Sequence, residues 1–444
     1  MAFANLPEKL MRMRSAVELA EPRVVSGELL AVSGTIIRAR LPQARIGELC
    51  ELRDGHTGEV RVADVIGIDG DVAFLAPYSN SSGLSRRTEI VGLQEAASVT
   101  VSDAMMGQVI DGMGRITTHT EGQDITVSKG VRRKLFATPP RPMDRRPIDE
   151  QLVLGIRAID GLISCGKGQR IGIFGNASVG KSSLISQIVR GSTAAVNVVA
   201  LIGERGREVR DFANKVLTPE MRRKTIIVAA TSDRPPVERI KAAYMATTIA
   251  EHFRDQGKDV LLVMDSITRF ARAQREIGLS SGELPARRGF PPSVFSILPQ
   301  LFERAGTNKI GTITALYSVL VEGDLNNDPI AEETKSLLDG HIVLDQKLAS
   351  AGHFPAINVL ESRSRLMESI TSREHQSKAT RVRQLMALYN DIELLIRVGE
   401  YKRNSDPESD RAIDAKPEID RFLRQSSSEL SDFPGTLSAL AQMV

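Results

Sequence analysis

The sequence predicts an α/β protein: a parallel-sheet core, preceded by a small β-barrel and followed by a helical segment. Three observations carry that reading. From about Gln151 onward, apolar strands alternate with helical stretches, the pattern of a parallel sheet with helices on its faces. Between Arg23 and about Leu93 the chain breaks instead into short β-rich pieces separated by glycines, as in a small barrel or sandwich. After about Glu361 it becomes helical and charged, with Leu385, Leu388, Ile392, Leu395 and Ile396 as apolar positions.

At 444 residues the chain exceeds one small domain. The expected division is a helix and barrel over 1–95, an α/β domain over 96–365 and helices over 366–444. The net charge of +3, the absence of Trp and the few aromatics argue against a base-stacking nucleic-acid surface. Cys50 and Cys165 lie far apart in no metal-ligand spacing, which suggests a reducing compartment. No stretch has signal-peptide or membrane-spanning character, so the expectation is a soluble intracellular protein.

Taken in order, Leu6 to Ala20 reads as a helix, with Leu6, Leu10, Met13 and Val17 at helical steps. Gly27–Val32, Gly34–Ala39, Gly58–Val62 and Val72–Leu75 read as barrel strands. Val101 to Pro147 connects the two regions, through a turn at Asp111–Gly114 and an extended Thr138–Pro142. Core strands are expected at Arg170–Phe174, Val198–Ile202, Thr225–Ala229, Val260–Met264 and Gly311–Tyr317, and a long helix at Pro236–Gln256. On that helix Glu251, Arg254 and Asp255 read as a solvated face, and His252, like His341, as structural. Arg287–Pro292 reads as a loop whose proline pair forbids regular helix, and Arg403–Asp410 as a polar break in the tail.

The chemistry concentrates after the first core strand. Gly175, Asn176, Ala177, Ser178, Val179, Gly180, Lys181 and Ser182 match G-x-x-x-x-G-K-[ST], with Ser183 opening an apolar-periodic helix. Strand, glycine loop and helix are the context this phosphate-binding loop requires. Glycines let consecutive N–H groups close on phosphate oxygens, where a helix N-terminus adds its dipole. Lys181 would reach the β- and γ-phosphates and Ser182 would ligate Mg²⁺. Asp265 ends the strand Val260–Met264, where a carboxylate holds Mg²⁺ through water. Glu204, in Gly203-Glu204-Arg205-Gly206-Arg207-Glu208, follows another strand and projects at the same sheet edge. It would polarise the attacking water; Glu208 fits the same role by spacing.

These residues, together with Gly289-Phe290-Pro291-Pro292-Ser293, resemble the hexameric ATPases related to rotary ATP-synthase catalytic subunits. More narrowly, Gly155–Gly161, Asp339–Leu344 and His353–Asn358 resemble the ATPases of bacterial type III protein export. The resemblance spans nearly the whole chain. It implies a P-loop, RecA-like ATPase core with an N-terminal β-barrel and a C-terminal helical domain, hydrolysing ATP with Mg²⁺ at the interfaces of a homohexamer. It implies that Glu204 activates water, Arg205 contacts the phosphates and Phe354 packs on adenine. It also implies that Arg365 enters a neighbouring subunit's site; Arg363, two residues away, leaves the choice of arginine open. Ser178 stands where the family often has Gly, and the Glu322–Asp328 loop departs slightly from the family's more acidic form.

The function so implied is ATP-driven chaperone release and substrate unfolding for export at a type III secretion apparatus. Its expected partners are export chaperones, secreted proteins, and the stalk, stator and export-gate components. Its expected place is the cytoplasm, peripheral at the inner membrane. A flagellar export ATPase is the nearest alternative. A ring-shaped nucleic-acid translocase is the alternative of another class; the barrel's Phe74 and Tyr78 form no aromatic stripe to support it. Retention of Lys181 and Glu204 argues against a ring subunit that binds without hydrolysing.

Overall fold

The structure is a computed structural model, and the residues it describes are 26–55, 57–117, 125–126, 129–323 and 325–443. The helix expected at Leu6–Ala20 lies outside them. The chain forms two compact units, divided between Ala97 and Ser98.

The first unit is a closed six-stranded barrel of β1 (Ser26–Ser33), β2 (Ile36–Arg40), β3 (Glu48–Arg53), β4 (Val60–Asp69), β5 (Val72–Pro77) and β6 (Glu89–Ala96). Its spatial order is β1-β2-β5-β4-β3-β6, antiparallel throughout, so no strand edge is left unpaired. Alternating residues such as Ile37, Cys50, Leu52, Val65, Leu75 and Ile90 turn inward and fill it. Tyr78 is buried and donates its hydroxyl to Asp64 at 2.5 Å, so it is a core side chain and not a surface platform.

The second unit begins with β7 (Ser98–Val101), β8 (Val109–Asp111), β9 (Arg115–Ile116), β10 (Ile125–Thr126) and β11 (Val131–Lys134). The turn read at Asp111–Gly114 joins β8 to β9, its Asp111 carboxylate accepting from the N–H groups of Met113 and Arg115. The core strands follow: β12 (Arg170–Gly175), β13 (Val196–Ile202), β14 (Thr225–Ala230), β15 (Asp259–Asp265), β16 (Gly306–Thr307), β17 (Thr312–Leu320), β18 (Gly340–Leu344) and β19 (Ile357–Ser364). The sheet order is β10-β9-β8-β14-β13-β15-β17-β12-β18-β19, with β16 paired to β17. β8, β14, β13, β15, β17, β12 and β18 run parallel, and β19 returns antiparallel at the edge. The central strands are continuous apolar runs because helices cover both faces; β13 is buried at every residue. All five expected core strands are present to within a few residues at each end.

The long helix spans Pro236–Arg254, and one reading of it needs correction. Glu251 and Arg254 are buried and Asp255 is half-buried; none of them forms a solvated face. Arg304, only 1% exposed, reaches in from beyond the helix Pro292–Phe302 and meets the Glu251 carboxylate with two bonds of 2.9 and 2.6 Å. Two further donors go to Leu135 O at 2.6 Å and Thr248 Oγ1 at 2.9 Å, so four of the five guanidinium N–H groups are engaged. Asp255 accepts from Arg133 at 2.7 Å. Removing one partner would strand a buried charge. Glu251→Ala is therefore expected to destabilise the protein by about 3–5 kcal/mol, whereas Glu251→Leu with Arg304→Met should recover most of that loss. Thermal melting midpoints of the three proteins check this.

Three further boundaries move. Pro292 is the first residue of its helix, because a proline at that position forfeits no helical hydrogen bond. β19 continues past Glu361 to Ser364, so the helices begin at Met367. The polar break ends at Asp406, whose carboxylate caps the first turn of Pro407–Leu423. Of the apolar positions read in the tail, Leu385 is buried and Leu395 is 45% exposed. Among the described residues no helix is long and apolar enough to cross a membrane.

Candidate functional site

A cleft of about 410 Å³ opens at the carboxyl ends of β12, β13, β15 and β17, where ligands bind in open α/β sheets. The phosphate loop forms its floor. Gly180 takes φ 90°, and a Cβ there would stand 3.3 Å from the Phe354 ring, so only glycine lets the loop and that ring approach. Gly180 also brings no side chain to cap the helix Lys181–Gly191, which leaves its first-turn N–H groups facing the cleft. Ser178 carries φ 66°, a left-handed backbone that costs a side-chain-bearing residue about 1 kcal/mol. Its side chain is exposed, so the cost is backbone strain and not a clash.

The Lys181 ammonium is buried and has no hydrogen-bond partner among the described residues. Burial lowers its pKa, while the charges of Asp265 and Glu204 oppose that shift. An orphaned buried cation is costly unless an anion completes it. Asp265, 5% exposed, accepts from Ser318 Oγ at 2.7 Å through one carboxylate oxygen, with Ser318 on the strand between Asp265 and the loop. Glu204, 7% exposed, sits just past β13 and pairs with Arg269 at 3.1 Å. Burial, then the Asp265 charge and a hydrogen bond with Glu208, push Glu204 up to about 8 despite Arg269. Glu208 lines the same cleft, so the structure brings both glutamates to it. Arg205 stands at the rim, exposed and 3.8 Å from Glu208.

Phe354, 46% exposed, forms one wall of an adjoining cleft of about 510 Å³ on the far side of Gly180. The opposite wall is Arg424–Ser427, which sequence reading missed. Gln425 holds that wall: its N–H donates to Phe354 O at 2.9 Å, and its side-chain amide bonds Gly155 O at 2.8 Å. Gln187 of the phosphate-loop helix bonds Ser426 O and Glu429 O at 3.1 and 2.9 Å. Nothing local in the sequence marks these contacts. Arg269 was also missed; its position four residues after Asp265, in the first turn of the next helix, was the available signal.

Arg365 is not in either cleft. The register pairs Ser364 with Gly340 and Gly340 with Ile171, while Phe174 and Gly175 lead into the loop. Arg363 and Arg365 thus stand toward the amino ends of the parallel strands, roughly 10 and 17 Å respectively along the strand direction from the loop. They line a separate cleft of about 800 Å³.

A nest of open N–H groups and an unpartnered buried ammonium facing two acidic strand ends, in a unit that follows a β-barrel in the chain, define the catalytic core of a P-loop ATPase. Family profiles agree: the ATP synthase alpha/beta family nucleotide-binding domain matches residues 155–364, its beta-barrel domain 29–94, and the T3SS EscN ATPase C-terminal domain 371–442. A type 3 secretion system ATPase of Sinorhizobium fredii is 50% identical over 429 residues, covering 97% of this chain and 94% of that protein. A flagellum-specific ATP synthase of Treponema pallidum is 44% identical over 98% of this chain and 96% of its own. The assembled EscN ATPase of enteropathogenic E. coli, solved with its central stalk EscO, is 47% identical with a TM-score of 0.86, over 94% of this chain and 99% of that one. The chain belongs to the type 3 secretion system ATPases.

Proposed function

We propose that the protein hydrolyses ATP with Mg²⁺ as a homohexamer, and that this hydrolysis releases chaperones and unfolds substrates for export. Lys181 and the N–H groups of Gly175–Ser183 take the phosphates, and Phe354 takes the adenine. Arg205, exposed at the rim, contacts the phosphates. Ser182 and Asp265 fit a magnesium ion: both offer hard oxygen donors on the cleft, and one Asp265 oxygen remains after Ser318 is served. The ion would supply charge neutralisation between the phosphates. Glu204 accepts a proton from the attacking water, with Arg269 fixing its carboxylate. Arg365 lies too far from its own loop to serve it, so it completes the site of the next subunit.

The observation that carries this reading is the unpartnered, buried Lys181 ammonium opposite Glu204 and Asp265. A central stalk partner is supported by the complex of the relative EscN with EscO; export chaperones, a stator and an export gate at the inner membrane belong to the same proposal. The injectisome-type relative is more similar than the flagellar one, and the reading follows it. The division at residues 95/96 and 365/366 remains the working domain description.

ATP turnover per chain should rise steeply with protein concentration and vanish on chelating magnesium. A flat profile, or full turnover without the metal, would sink the proposal.

A further inference from the structure

Arg363 has no task in the mechanism above, and its surroundings supply one. Alternation along β19 turns Ser362 and Ser364 inward: Ser362 Oγ accepts from the Val343 N–H at 2.9 Å, and Ser364 Oγ accepts from Gln169 Nε2 at 3.0 Å. Arg363 therefore faces outward; Arg365, also exposed, follows in the turn just past the strand, its Cα about 7 Å away. Among the described residues neither guanidinium forms an ion pair, although Glu361 and Glu368 line the same cleft. Other arginines at this end of the sheet are neutralised: Arg170 by Asp339 and Glu303, Arg145 by Glu303. Behind the pair lies Arg383, whose guanidinium bonds only the carbonyls of Ser362 at 2.9 Å and Leu162 at 3.5 Å. Its charge is a third that no carboxylate offsets. Such a cluster costs self-repulsion in a lone chain and is matched by a polyanion.

With Cα positions about 7 Å apart, the two long side chains can reach successive groups of one polyphosphate chain. With Arg365 on the γ-phosphate, the second falls on the remainder of the polyphosphate chain. We propose that Arg363 is a second phosphate contact to the neighbouring subunit's nucleotide, holding the part common to ATP and ADP. The inference rests on the interfacial reading of Arg365. A contact made equally before and after cleavage strengthens binding without accelerating the chemical step, so the two arginines divide affinity from rate.

The test uses full-length Arg363→Ala, Arg363→Gln, Arg363→Lys and Arg365→Ala proteins, at concentrations where sedimentation shows the wild type assembled. Arg363→Ala should weaken binding of a fluorescent ADP analogue about tenfold and raise KM for ATP in proportion, with kcat within about twofold. Arg363→Lys, which keeps the charge but not the fork, should recover part of the affinity. Arg365→Ala should bind ADP normally and lose kcat. The inference fails if Arg363→Ala binds ADP as tightly as wild type, or loses kcat at unchanged KM. It fails too if Arg363→Ala and Arg363→Gln both cease to assemble, which would make the residue a structural interface contact. Full turnover by Arg365→Ala would overturn the interfacial reading instead, and the ADP measurement tells these failures apart.

Discussion

Arg365→Ala is expected to lower turnover of the assembled protein by roughly 10³–10⁵-fold, the range in which an inserted arginine stabilises the charge of a transferring phosphoryl group. The geometry gives this expectation a sharper form. Arg365 stands at one end of the sheet and the phosphate loop at the other, so no side-chain rotation lets one chain use both. Mixing therefore discriminates. Lys181→Ala chains lack a working cleft but keep the arginine; Arg365→Ala chains have the opposite defect. Each alone should be inactive, and together they should regain turnover at interfaces that pair an intact cleft with an intact arginine. Mixtures that stay as inactive as their parents, although they co-assemble, would show that the arginine acts elsewhere.

Glu204→Gln should reduce kcat by about 10²–10⁴-fold while leaving ATP binding within a few-fold, because the amide keeps the shape but accepts no proton. The same substitution should stabilise the nucleotide-free protein, in a pH-dependent way. The folded carboxyl keeps its proton up to about pH 8, held there chiefly by burial and by the Asp265 charge, whereas the unfolded one loses it near 4.5. Between those values the folded state binds more protons, so stability falls as pH rises through the window and is flat outside it. Glutamine removes that loss. The melting midpoints of wild type and variant should nearly coincide at pH 4.5 and diverge in the variant's favour by pH 8. Equal midpoints at pH 8 would mean that Glu204 is not strained by its surroundings. In wild type the rate should climb as pH rises through the ionisation of Glu204, since the carboxylate is the working form.

Much of the site was legible because its parts are local. A phosphate loop is a run of eight residues whose backbone shape and chemistry are set by its own glycines, lysine and serine. Asp265 and Glu204 each sit one or two residues beyond an apolar strand, and parallel strands place such ends on one side of a sheet whatever their order. The misreading of Glu251 and Arg254 has the opposite cause. A charged helix face looks solvated until a distant guanidinium, here Arg304, is brought against it. The wall at Arg424–Ser427 was invisible for the same reason: it is held by Gly155, Gln187 and Phe354, each far away in the chain.

The sequence by itself determined the strand and helix order, the barrel ahead of the sheet and the phosphate-loop motif, since each depends on periodicity or on contiguous backbone. Only the tertiary structure decided which residues share a cleft, which charges are buried, and that Arg363 and Arg365 line a cleft separate from the loop of their own chain. Those facts depend on strand register, which sets the distance between positions far apart in sequence and which no local pattern encodes.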